Sequence, residues 1–187
     1  MRKQLYLAII AQLKLIQLNS LGKYITAPVP VTNPEKIAAK AKQVIKTFDV
    51  WNNQLDYIEE EPPFALPAVF LEFNPIQWEA RSKGVRGADV SLTLHVVTEC
   101  RVPSKNTVDR ETQAFAFFDL LDAINYNLYN LKGDFFRYLT SAASATDHNH
   151  SEIIDSQETY TVQLTDKSAV RTVVLVPAAP TVATSFK

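Results

Sequence analysis

Cysteine, glycine and long apolar runs are scarce in this chain, and each scarcity excludes something. There is one cysteine, Cys100, so an internal disulfide and a cysteine-rich structural zinc site are both excluded. The four glycines stand at positions 22, 84, 87 and 133 and form no phosphate-cradling loop. No serine sits in a nucleophile elbow. No apolar stretch approaches the ~20 residues that a helical membrane span needs, so no membrane partner is expected. Met1-Arg2-Lys3 ahead of Leu5–Ala11 has the outline of a short signal peptide. Gln12, Lys14 and Gln17 interrupt that run, and the segment is expected to belong to the fold.

The 187 residues are 47% hydrophobic and 21% charged, a globular composition of single-domain length. The net charge is −1, but its distribution is uneven. Residues 1–48 hold eight basic residues and one acid, Glu35, so that segment is +7 and the remainder −8. Such asymmetry suits a complementary surface on another subunit, and equally a set of solvated lysine-rich helix faces.

Spacing gives the elements. Leu5, Ile9, Leu13 and Ile16 recur at helical intervals, predicting a helix over 2–18 that is apolar nearly all round. Asn33 as an N-cap and Pro34 in the first turn predict a second helix to about Lys46. Glu59–Pro63 is a loop, and Pro67–Phe73 a strand with Val69, Leu71 and Phe73 on one face. Residues 79–87 read as a polar loop carrying Arg81, Lys83 and Arg86. Ala88, Val90, Leu92, Leu94 and Val96 alternate with polar residues, the clearest strand in the chain. A main helix follows over 107–131, with Phe117, Leu121, Ile124, Leu128 and Leu131 along one face. Two strands are expected within 135–164, and 165–187 is an arm in which Val170, Thr172, Val174 and Val176 alternate. The fold class is therefore α+β: an antiparallel sheet of two hairpins with helices on one face over 1–164, then an extended C-terminal arm, 165–187.

Chemistry-bearing clusters are weak. His148 and His150 lie in a polar loop, and two imidazoles do not make a metal site. His95 and Cys100 are five residues apart on a strand and so face opposite ways. Glu59–Glu61 suits a solvated turn, and Trp51 and Trp78 suit core or interface. No catalytic residue, metal or cofactor is expected.

Phe64-Ala-Leu-Pro-Ala-Val-Phe-Leu-Glu-Phe73, a polar loop, then Ala88-Asp-Val-Ser-Leu-Thr-Leu-His-Val-Val97 resembles the core hairpin of phage tail-terminator proteins. The order of elements is similar over about residues 1–164. The resemblance implies a non-catalytic ring subunit, a hexamer or dodecamer, in the tail or neck of a virion assembled in the host cytoplasm. It implies adjoining neck, portal-side or tail proteins as partners, with genomic DNA passing through the channel. Segments 1–48 and 165–187 exceed a minimal terminator and fit another neck or connector ring. Ile10, Leu15, Lys36, Lys40, Arg81, Lys83, Arg86, Val174 and Val176 are the expected interface residues. The alternative is a nucleic-acid-binding module that uses the basic 1–48 segment.

Overall fold

The computed structural model describes residues 1–19, 22–26, 43–56, 63–99, 107–147 and 153–170. Helix α1 (Arg2–Leu13) packs Leu5, Ile9 and Leu13 into the core, one residue per turn on one side. The predicted helix to residue 18 stops early. Strand β1 (Ile16–Leu18) pairs antiparallel with β2 (Tyr24–Thr26) in a small sheet of its own. Gly22, at φ +73°, turns that hairpin, and the Lys23 N–H donates to Asn19 Oδ1 at 2.9 Å. Ile16 stays buried in its strand, so the apolar stripe survives the change of element.

The predicted helix from Pro34 falls mainly outside the described residues. Its expected last turn is not helical: Gln43 bridges to Gln17, and Val44 and Ile45 are buried just ahead of β3 (Thr47–Val50). The main sheet continues with β4 (Ala68–Phe73), β5 (Glu79–Ser82), β6 (Val85–Glu99), β7 (Thr140–Asp147) and β8 (Ile153–Asp166). Its order is β3-β4-β6-β8-β7, and β5 pairs with the start of β6. The class is α+β as expected. The sheet is mixed rather than wholly antiparallel, because β3 runs parallel to β4 at one edge. The expected loop at 79–87 is instead the outer end of a hairpin.

Helix α2 (Thr107–Leu128) buries Leu120, Ile124 and Leu128 against one face of the sheet. With α1 it covers Leu71, Val90, Leu92, Leu94, Tyr160 and Val162. Helices on a single face match the expectation. The buried stripe is Leu120, Ile124 and Leu128, with Phe117 and Leu121 only half-buried. The opposite face is covered at one end: Leu55, Leu66, Ala68, Phe70, Val97 and Ile153 form a second, smaller core, flanked by Trp51 and Phe64.

Candidate interaction surfaces and a buried charge cluster

Helix α2 presents an uncommon outer side. With Leu120, Ile124 and Leu128 turned inward, helical geometry places Phe115, Phe118, Tyr126 and Tyr129 together on the opposite side. All four are more than half exposed, and Tyr126 reaches 76%. Glu111, Asp119 and Asp122 share that side, and residues 111–131 contain no base. The outer side is therefore aromatic and acidic. Between it and the β1–β2 hairpin lies an open cleft of about 400 Å³, lined by Lys23, Tyr24, Asp119, Asp122, Ala123 and Tyr126 among others. Burial, and then the nearby Asp119 carboxylate, push the Tyr24 hydroxyl pKa upward.

The hairpin tip is the opposite kind of surface. Gly84, at φ +78°, closes the turn between β5 and β6. The backbone of residues 169–170 crosses this turn so closely that a Cβ on Gly84 would stand 2.8 Å from the Ala169 carbonyl oxygen. The Arg86 guanidinium pairs with Asp166 at 2.9 Å and lies over the Trp78 ring, 4.5 Å from its centroid. The Ser168 N–H also donates to Asp166 at 2.9 Å. Hydrogen bonds from Ser168, and then the Arg86 cation, hold the Asp166 carboxyl at a pKa of about 2. Arg86 is thus committed to the fold. Arg81 lies across Gly87, and Arg81 and Lys83 are exposed without an ion pair among the described residues.

Strand β7 is an edge of the sheet among the described residues. Residues 140–146, rich in serine and alanine, are all exposed, and among the described residues β7 pairs only with β8. Among the described residues no strand lies on its outer side, where an edge strand can pair with another.

The fourth feature is buried. The strand pairings Phe70↔His95 and Val97↔Asp155 bring Glu72, His95 and Asp155 onto one face of the sheet. His95 Nδ1 meets Asp155 Oδ2 at 2.9 Å, and Nε2 meets Glu72 Oε2 at 3.2 Å. The Trp51 ring stacks on the imidazole with centroids 3.7 Å apart and planes 2° from parallel. Burial alone would lower the His95 pKa. The hydrogen bond and charge of Asp155, and then of Glu72, outweigh it and raise the pKa above 6.5. Both ring nitrogens are engaged, so the imidazole has none left for a substrate. The arrangement ties β4, β6 and β8 together as a charged staple, and the Trp51 ring lies over it. Among the described residues no group of three or more His, Cys, Asp or Glu is placed to hold a metal ion.

The residues named from sequence are scattered. Ile10 and Leu15 are half-buried rather than exposed; Leu7 is the exposed large apolar residue of α1. Arg81, Lys83 and Arg86 share the hairpin tip. Lys36, Lys40, Val174 and Val176 lie outside the described residues, as do Cys100, His148, His150 and Glu59–Glu61. The α2 aromatics were missed, although their spacing of i, i+3, i+11 and i+14 is a readable signal. The His95 cluster joins residues far apart in the chain and has no local signal. Among the described residues no helix is long and apolar enough to cross a membrane. None of the protein families and none of the curated proteins with which the chain was compared matches it.

Proposed function

We propose that this chain is a structural, non-catalytic ring subunit of a tailed-phage virion, a tail terminator or a neck (connector) protein joining tail to head. The observation that supports this reading is that one small α+β domain carries two unlike exposed surfaces, the strand β7, an edge among the described residues, and the aromatic, acidic side of α2. Unlike surfaces on one chain favour head-to-tail contacts, which close into rings when the rotation fits. Aromatic clusters left in water and open strand edges mark association sites. On this reading the partners are further copies of the chain, adjoining neck, portal-side or tail proteins, and DNA in the channel. Negative-stain electron microscopy of the purified chain tests it: annular particles are expected, and a field of isolated monomers at micromolar concentration contradicts it.

A second reading, nucleic-acid binding through the basic 1–48 segment, draws on the exposure of Arg2, Lys3, Lys14, Lys23 and Lys46. It requires DNA affinity that falls steeply with salt. A titration of labelled duplex at two salt concentrations separates the readings, since a ring-forming surface built on aromatics has no such requirement.

A further inference from the structure

The cleft beside α2 has the chemistry of a cation seat. Asp119 and Asp122 supply two carboxylates, and Tyr24 and Tyr126 supply ring faces, with Lys23 as the single base of the lining. Carboxylates beside aromatic rings select a guanidinium or ammonium group, by charge pairing and by the attraction of a cation to a ring face. A cleft of about 400 Å³ accommodates a few long side chains. Glu111, Phe115 and Phe118 extend the same acidic and aromatic side along the helix.

The hairpin tip offers the complement. Arg81 and Lys83 are exposed without ion pairs among the described residues, and Lys167 lies two residues before Ala169, which crosses the turn. Glu79 is the one acid of the 79–87 stretch, and Arg86 is already taken up by Asp166. The Gly84 crossing and the Arg86–Asp166 pair hold the tip, so its cations are presented from a fixed base. Cleft and tip belong to different parts of the body: β5 packs on β6, whereas α2 packs on α1, β1 and β2.

The geometry points to a head-to-tail contact between two copies of this chain, in which the Arg81/Lys83 tip of one enters the Asp119/Asp122 cleft of the next. This inference rests on the ring-subunit reading and names the two surfaces that meet. Because the surfaces differ, each copy gives a tip and receives one, and the contact repeats around a ring.

Charge reversal tests it. The variants Asp119→Lys/Asp122→Lys and Arg81→Glu/Lys83→Glu change exposed side chains only, and circular dichroism melts should match the parent. Each variant alone places like charges together and should assemble roughly tenfold more weakly in sedimentation velocity. An equal mixture should regain assembly, because each reversed cleft now faces a reversed tip. If the parent assembles and either variant assembles as well as the parent, or the mixture stays apart, the contact is wrong while the ring reading stands. Complementation of Asp119→Lys/Asp122→Lys by Lys36→Glu/Lys40→Glu instead would assign the cleft to a different basic segment and overturn the proposal. A parent chain that is monomeric throughout refutes the ring reading and this contact with it.

Discussion

Replacing His95 with leucine should cost the fold roughly 4–7 kcal/mol, and the sum can be followed group by group. Asp155 is 3% exposed and, among the described residues, keeps only the Gln157 amide donor, at 3.2 Å, once the imidazole is gone. Its other oxygen has no hydrogen-bond partner among the described residues. Removing one partner of a buried charge pair costs about 3–5 kcal/mol, because the remaining charge is left without compensation. Glu72 is 42% exposed and returns to water, so its loss of a partner adds at most about 1 kcal/mol. The lost Trp51 stack adds about 0.5–1.5 kcal/mol. Urea unfolding followed by tryptophan fluorescence measures the difference. The double variant His95→Leu/Asp155→Leu should recover most of the loss, since an apolar pair of similar volume needs no compensation. A single variant that loses less than about 1 kcal/mol, or a double variant as unstable as the sum of its parts, would refute the staple.

Other outcomes follow from the same structure. The folded-state pKa of His95 lies above 6.5, so its contribution is complete below about pH 6.5 and is lost as pH rises through the folded value. Thermal melts from pH 6 to 9 should therefore fall in the parent and fall less in His95→Leu; parallel profiles contradict this. Gly84→Ala meets both a left-handed backbone and the Ala169 carbonyl, and should destabilise by about 1–3 kcal/mol in chemical denaturation, against a negligible effect if the crossing is absent. Asp166 should titrate near pH 2 by carbon-detected NMR, and Arg86→Ala should move it only part of the way to 3.8, because Ser168 contributes first; a full return would assign the shift to Arg86 alone. Ile124→Ala, at a fully buried site, should cost about 2–5 kcal/mol in the same urea assay, and a loss under 1 kcal/mol would place α2 off the core.

Much of the fold was readable where one side of an element carries a clean period. Leu5, Ile9, Leu13 and Ile16 all reach the core, although Ile16 does so from a strand. The even-numbered residues from Ala88 to Val96 face the helices, as alternation requires. Alternation marks the other side of β6 as polar, with Asp89, Ser91, Thr93 and His95. His95 and Val97 are buried there because Trp51, Leu55, Phe64 and Leu66 pack over that face, and a strand's period carries no record of covering residues. Strand β5 escaped because all four of its residues are exposed and three are polar, so it has no buried side to create a pattern. In α2 the run Phe115–Leu121 is apolar on several sides, which fits more than one stripe. The tertiary packing chose Leu120, one residue away from Leu121, and left Phe115 and Phe118 in water. Arg81 and Lys83 could be named from sequence as candidate interface residues, whereas the acidic, aromatic side of α2 depends on which side of that helix the core takes.

The ring reading is tested most directly by native mass spectrometry of the purified chain at micromolar concentration. It predicts a single closed assembly, a hexamer or dodecamer of 21.0 kDa chains, that persists on modest dilution. A spectrum with the 21.0 kDa monomer alone, or an open-ended ladder of sizes with no closed species, would contradict it.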